Sequence, residues 1–169
     1  MNDYVLIGKI VNTHGIKGEI KIISDFELKE KVFKPNTLIY IGKEKEAIKI
    51  VGHRPHKMFD MLILENKNDI NDVLGYKGKY LYIKRDELEL KDNDYLLQEL
   101  IGFEVIDEKD LLGKVVDIVY NKKQVLLKVK ERKEFYIPFV NEYILKVDTL
   151  SKKIYTKNAK DLMVWKLIS

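Results

Sequence analysis

Hydrophobic and polar residues alternate in short runs along the chain, and this pattern predicts an all-β protein. Side chains of a strand point alternately to its two faces, so a period of two marks a half-buried strand. Turn-forming residues such as Pro35, Asn36 and Gly42 separate the runs of the first half. The strands predicted in this half are Tyr4–Val11, Glu19–Ser24, Thr37–Ile41, Ala47–Gly52, Met61–Glu65 and Gly78–Lys84.

The first half also contains one helix signal. Asp69 can cap a short helix, and Gly75 can end it. Between them, Ile70, Val73 and Leu74 have helical spacing. Six strands with so little helix predict a closed β-barrel, because closure leaves no unpaired strand edge.

A polar segment separates this half from a second set of strands. The alternation is lost between Arg85 and Gln98, where charged residues crowd together, which indicates a linker. We therefore predict two domains, 1–85 and 99–169, joined by the linker 86–98. Short, closely spaced strands predict a second small barrel after the linker. They are Phe103–Asp107, Gly113–Tyr120, Gln124–Lys130, Phe135–Val140, Ile144–Val147 and Lys152–Thr156.

Composition narrows the class of protein. The chain has 169 residues, of which 46% are hydrophobic, enough for packed cores. It has no cysteine, no apolar run long enough to cross a bilayer and no signal-peptide pattern, and we therefore expect a cytoplasmic protein. The net charge of +4 is compatible with contact to RNA or another acidic surface but does not require it.

The most specific local pattern is the segment 8–22. Thr13 and His14 lie at the tip of this segment, between two apolar strands. Gly15 and Gly18 indicate a positive φ or a close backbone approach. No helix is predicted directly after them, so they do not form a phosphate cradle. His14 can either lock the turn by hydrogen bonds or contact a partner.

The histidines give little support for catalysis or metal binding. His53 and His56 flank Pro55, so they cannot share a helix face, and a zinc site needs further ligands. We interpret them as part of a polar loop between strands. Histidine suits general-base catalysis, yet no carboxylate or serine stands at a spacing that indicates a partner for His14. The residues predict no cofactor and no metal and favour a binding protein, and catalysis at His14 stays an alternative.

Two further surfaces are candidates for binding. Tyr95, Leu96 and Leu97 form an apolar patch that either packs between domains or, if exposed, binds a protein. A basic cluster along one predicted hairpin can neutralise phosphates, although a solvated hairpin has the same pattern. The residues of this cluster are Lys122, Lys123, Lys128, Lys130, Arg132 and Lys133.

Several motifs occur in a specific order. Gly8–Glu19 contains Thr-His-Gly followed by Gly-Glu, and Asp94–Gly102 contains an acidic residue, a tyrosine and Leu-Ile-Gly. Leu112–Asp117 and Ile137–Val140 follow in the second half. Together these motifs resemble the ribosome maturation factor RimM family over nearly the whole chain. The resemblance implies a six-stranded translation-factor-like barrel followed by a PRC-barrel.

The resemblance also implies a function and partners. Family members are similar in assisting assembly of the small ribosomal subunit head and 16S rRNA processing, and they are not known as enzymes. The expected partners are the small-subunit precursor, small-subunit ribosomal protein nineteen of the head and 16S rRNA, with no membrane and no cofactor. The alternative is a direct RNA-binding module that needs no protein partner.

The site residues implied by the resemblance fall in both halves. In the family, two adjacent tyrosines and a tryptophan stand where this chain has Tyr95, Leu96 and Leu97, which are the predicted partner-binding residues. Leucine keeps the apolar area but loses the aromatic face. The predicted contacts to rRNA, or within the loops, are Thr13, His14, Lys17, Lys122 and Lys123.

Overall fold

The computed structural model describes residues 3–121 and 123–164. The chain forms two compact units, Met1–Glu89 and Leu90–Ser169. Both units consist mainly of strands, which confirms the predicted all-β fold class. The division at 89/90 falls inside the predicted linker 86–98, and the domain bounds 1–85 and 99–169 stay a prediction.

The first unit is a closed barrel with the strand order β1-β2-β5-β4-β3-β6. Inward positions along these strands are apolar and fully buried, as the alternation predicts, with Ile10, Ile20 and Leu62 as examples. The elements of this unit are β1 (Tyr4–His14), β2 (Glu19–Ile23), α1 (Lys29–Val32), β3 (Leu38–Ile41), β4 (Glu46–His56), β5 (Phe59–Leu64), α2 (Ile70–Val73) and β6 (Tyr80–Lys84).

Strands β1 and β4 are longer than predicted for a physical reason. Their pairing registers shift between Ile10 and Asn12 and between Ile50 and Gly52. Such a bulge moves the following side chains to the opposite face. The alternation in the sequence therefore stops at the bulge, although the strand continues.

The predicted short helix is present as α2. The Asp69 carboxylate accepts a hydrogen bond from the Asn71 backbone N–H at 2.8 Å, and the Asp72 side chain accepts one from the Asp69 N–H at 3.2 Å. This reciprocal pair satisfies two backbone donors at the start of the helix. The helix continues into a 3-10 turn at Leu74–Tyr76 and so does not end at Gly75.

The second unit is a six-stranded sheet with the order β10-β9-β8-β7-β12-β11. Strands β7 and β12 pair in parallel, and the other neighbours are antiparallel. Pro138 is the last residue of the edge strand β10, where a missing N–H costs little. The strands are β7 (Glu104–Asp107), β8 (Asp110–Tyr120), β9 (Val125–Lys130), β10 (Glu134–Pro138), β11 (Ile144–Asp148) and β12 (Lys153–Thr156).

Candidate RNA-binding and partner-binding surfaces

The turn between β1 and β2 is held in one conformation by its glycines and by α2. Gly15 and Gly18 have φ values of +67° and +85°. A Cβ atom at Gly18 would lie 2.3 Å from the Lys67 carbonyl oxygen, so only glycine fits there. The Ile70 N–H donates to the Ile16 carbonyl at 3.0 Å and joins the turn to the start of α2. The predicted need for glycine at both positions is confirmed.

An ion pair joins β2 to β4 next to this turn. The Arg54 Nε and Nη2 atoms donate to the two Glu19 carboxylate oxygens at 2.9 and 2.8 Å. The Arg54 guanidinium lowers the pKa of Glu19 below its ordinary value, and Glu19 in turn raises the pKa of Arg54. Bidentate pairs of this kind restrict orientation as well as supplying charge attraction.

The Glu19–Arg54 contact joins the end of the β1–β2 hairpin to the end of the β4–β5 hairpin. The rings of His14 and His56 have centroids 5.8 Å apart. Desolvation, followed by the charge of Arg54, lowers the pKa of His56, which therefore favours the neutral ring near pH 7. Both oxygens of the Glu19 carboxylate accept hydrogen bonds from Arg54, so the guanidinium is the hydrogen-bond partner that the structure shows for this group.

The barrel end formed by these hairpins presents cationic and apolar groups to solvent. Lys17 and Lys57 are exposed, and Ile16 and Met58 are 76% and 70% exposed. Thr13 is half-buried on β1, beside the exposed His14. We call this surface, with Thr13, His14, Lys17, Lys57 and Met58, the hairpin end. Its chemistry fits phosphate contact combined with apolar contact.

The other two histidines of the prediction do not lie in a loop. His53 and His56 belong to β4 itself, because the strand extends past its bulge, and the loop interpretation is wrong. His53 Nε2 lies 2.9 Å from Asp60 Oδ1, and Lys29 Nζ donates to Asp60 Oδ2 at 2.8 Å. Asp60 is buried, so these two neighbours satisfy a carboxylate that would otherwise be costly to bury. The described residues contain no group of three or more side chains placed to hold a metal ion.

The basic cluster of the second unit is dispersed by the fold. Lys123 lies in the turn before β9 and Lys133 in the turn after it, so the six-residue strand separates them by about 20 Å. Lys128 is paired with Glu134 at 2.9 Å, and this pair raises the pKa of Lys128. Lys122 lies outside the described residues. Lys130, Arg132 and Lys133 are exposed at the opposite end of β9 from the exposed Lys123, so the cluster does not form one continuous surface. The rRNA contact of Lys123 stays a prediction.

A cleft in the second unit contains Tyr95. Its volume is about 230 Å³. The Tyr95 and Phe139 rings meet edge to face, with centroids 6.5 Å apart, and burial raises the pKa of the Tyr95 hydroxyl. Leu145 is 60% exposed and Val140 is 39% exposed. The lining residues are Tyr95, Phe139, Val140, Asn141, Ile144, Leu145, Lys146 and Val147.

The other two residues of the predicted patch do not line this cleft. Leu97 belongs to the hydrophobic core of the second unit, and Leu96 is also buried. Buried side chains contribute to folding and cannot contact a partner without rearrangement. The sequence analysis did not identify Phe139 and Leu145 as cleft residues. The Ile-Pro-Phe motif at 137–139 was a usable signal, because its last residue lines the cleft.

A closed barrel followed by a six-stranded sheet places the chain among two-domain all-β proteins. Within that class, residues 5–88 match the family profile of the RimM N-terminal domain, and residues 97–162 match that of the RimM PRC barrel domain. The chain belongs to the RimM family, as the motifs predicted.

Relatives agree with this assignment. The ribosome maturation factor RimM of Shouchella clausii is 34% identical over 162 residues, covering 91% of this chain and 94% of the relative. That of Staphylococcus haemolyticus is 37% identical over 155 residues, covering 89% and 93%. A RimM crystal structure from Pseudomonas aeruginosa matches with a TM-score of 0.48 and 24% identity, covering 94% of this chain and 99% of that one. Membership of this family supports a role in ribosome maturation.

Among residues 3–121 and 123–164, no helix is both long and apolar enough to span a membrane.

Proposed function

We propose that this chain is a non-enzymatic factor that assists assembly of the small ribosomal subunit head and 16S rRNA processing. It does so by binding small-subunit ribosomal protein nineteen in a cytoplasmic precursor particle. The observation that carries this proposal is the Tyr95 cleft, a depression lined by aromatic, aliphatic and polar residues on the unit that matches the PRC barrel domain.

The cleft has the composition of a protein-docking site. Tyr95 and Phe139 supply aromatic surface at its base, and the half-exposed Leu145 and Val140 supply apolar rim area. Lys146 and Asn141 add polar groups at the edge. An aromatic centre with a polar edge is the usual arrangement of a binding hot spot. One bulky apolar side chain of the partner fits in a volume of about 230 Å³.

The hairpin end of the barrel supplies the second contact in this proposal. Lys17 and Lys57 are exposed cations that can reach rRNA phosphates, with Thr13 and His14 beside them. Lys123 is an exposed cation on the second unit. A protein that binds a near-native rRNA arrangement more tightly than other arrangements shifts the population toward it. This mechanism needs no catalytic group.

Co-sedimentation of the purified chain with small-subunit precursors from cells that lack it tests the docking site. Tyr95→Ala and Leu145→Ala should each weaken binding at least about fivefold, because hot-spot truncation costs about 1 kcal/mol or more. Leu97→Ala is unsuitable, since it removes a core residue. Tyr136→Ala is the matched control, because Tyr136 is 45% exposed on β10 and lies outside the cleft. Unchanged binding of both cleft variants would contradict the docking site.

A direct RNA-binding module is the second candidate, and the exposed lysines of the hairpin end favour it. It predicts that the chain binds 16S rRNA stripped of protein, with an affinity that falls steeply with salt. Under the first proposal, tight binding requires the head protein. Mixing experiments with bare rRNA and with rRNA carrying the head protein separate the two.

A further inference from the structure

A second surface of the barrel, remote from the hairpin end, combines tyrosine rings with lysines. Strand β6 places Tyr80, Tyr82 and Lys84 at alternate positions, while Leu81 and Ile83 between them are buried in the barrel. The tyrosines and Lys84 therefore share the outer face.

Pairing with the neighbouring strands extends this face. On β1, Tyr4 stands opposite Lys84 and Lys9 opposite Tyr80. On β3, Tyr40 stands opposite Tyr82. We call the outer surface of β1, β6 and β3 the tyrosine-lysine face. Its residues are Tyr4, Lys9, Tyr40, Tyr80, Tyr82 and Lys84. We include Lys45 from the turn after β3, because its ammonium lies over the Tyr4 and Tyr82 rings.

The tyrosine rings of this face include a contiguous cluster, and their exposure ranges from the buried Tyr40 to the half-exposed Tyr80. The centroid of Tyr4 lies 5.3 Å from that of Tyr40 and 6.4 Å from that of Tyr82, both in edge-to-face geometry. Tyr40 is only 4% exposed and donates its hydroxyl to Glu87 at 2.7 Å, so it supports the cluster from below. Tyr80 is 45% exposed, and the neighbouring Leu6 is 52% exposed. The accessible part of the face is therefore aromatic and apolar.

Three ammonium groups lie over these rings. Lys45 Nζ is 4.2 Å from the Tyr82 centroid, Lys84 Nζ is 5.0 Å from that of Tyr40, and Lys9 Nζ is 5.3 Å from that of Tyr80. Within the described part of the chain, none of the three lysines makes an ion pair with a carboxylate. The contacts to the rings keep these charges near the face.

We propose that the tyrosine-lysine face binds single-stranded RNA. An RNA strand presents flat bases and negative phosphates at regular intervals, and the face offers rings and cations at matching sites. A duplex hides its bases, and an acidic peptide does not carry a flat heterocycle beside each of its charges. The choice of RNA rather than DNA rests on the proposed function in ribosome maturation. In this mode a base stacks on Tyr80 and displaces the Lys9 ammonium from that ring. Lys9, Lys45 and Lys84 then move from the rings to phosphates.

This contact is distinct from the one proposed at the hairpin end. Tyr4 and His14 are the first and last residues of the eleven-residue strand β1, which spans about 30 Å. Tyr80 stands opposite Lys9 in the middle of β1, so a short segment that runs from Tyr80 toward Tyr4 leads away from the hairpin end.

Fluorescence anisotropy with the full-length chain and a labelled oligouridylate of about ten nucleotides tests the inference. Tyr80→Leu, which keeps apolar area but removes the ring, should weaken binding at least about fivefold. Lys45→Gln should weaken it and reduce the salt slope by about 0.7, the value for one lost phosphate contact on a single strand. A duplex of the same length should bind more weakly than the single strand.

Matched controls make the result decisive. Tyr136→Leu changes a tyrosine of equal exposure on the other unit, and Lys43→Gln removes an exposed lysine two positions from Lys45. Neither should alter the affinity. Equal losses in variants and controls, preference for the duplex, or no saturable binding below about 100 µM would overturn the inference. The probe contains no ribosomal protein, so failure of this test does not contradict the docking site at Tyr95. Likewise, failure of the co-sedimentation test does not contradict RNA binding by the tyrosine-lysine face.

Discussion

At the residue scale, Gly18 shows how one position fixes the geometry of a surface. Its φ of +85° and the nearby Lys67 carbonyl together exclude any side chain. Gly15 has a similar φ of +67° but faces open space. A substitution at Gly15 therefore meets only the strain of a positive φ, whereas a substitution at Gly18 meets this strain and a steric clash.

We expect Gly18→Ala to lower the free energy of unfolding by about 3 kcal/mol, because strain at positive φ adds to a clash with backbone. Gly15→Ala should cost only about 1 kcal/mol, since it meets strain alone. Urea denaturation of both variants measures the difference. Equal losses would show that the close approach of Lys67 to Gly18 does not constrain the turn.

Single residues also mark where sequence reasoning succeeds and fails. The positive φ at 15 and 18 could be predicted because glycine adopts this conformation without the strain that a Cβ atom brings. The burial of Leu97 could not be predicted, because a short apolar run in the sequence can belong either to a core or to an exposed patch. Only the packing of the second unit distinguishes the two, and it leaves Tyr95 as the accessible member of the predicted patch.

At the element scale, the hairpin end depends on strands that the sequence predicts only in part. The existence and order of the strands follow from alternation, but bulges in β1 and β4 interrupt it. The extension of β4 past its bulge carries Arg54 and His56 to the end of the barrel, next to Glu19 and His14. This contact joins elements that are distant in sequence, so no local sequence pattern predicts it.

The Glu19–Arg54 pair makes the stability of the barrel depend on pH. The pKa of Glu19 is lowered in the folded state, so the pair stabilises fully above the unfolded pKa of about 4.3. This contribution is lost as the pH falls through the lower folded value. Glu19→Gln should therefore reduce the free energy of unfolding at pH 7 by about 0.5 kcal/mol, a small amount because Arg54 is half-exposed.

Denaturation of Glu19→Gln and the unmodified chain between pH 7 and pH 3 measures this effect. The two curves should converge at the acid end. Glu65→Gln makes the same charge change at an exposed carboxylate outside the pair and should show no comparable convergence. A gap for Glu19→Gln that does not narrow as the pH falls would contradict the ion-pair explanation.

At the scale of the whole molecule, the two units carry chemically different surfaces. The barrel has the basic hairpin end and the tyrosine-lysine face, whereas the second unit has the Tyr95 cleft with its mixed aromatic, aliphatic and polar lining. Two weak contacts on one partner particle reinforce each other, because the second forms within an existing complex. The fold class could be predicted from periodicity and turns. The ribosomal partner could not be derived from physical chemistry and came from the order of the family motifs.

The composition of the particle that co-purifies with the tagged full-length chain tests the central proposal most directly. We expect small-subunit precursors that contain the head protein and unprocessed 16S rRNA, and we expect Tyr95→Ala to deplete them. Recovery of mature subunits alone, or of no ribosomal particle, would contradict a role in assembling the small-subunit head.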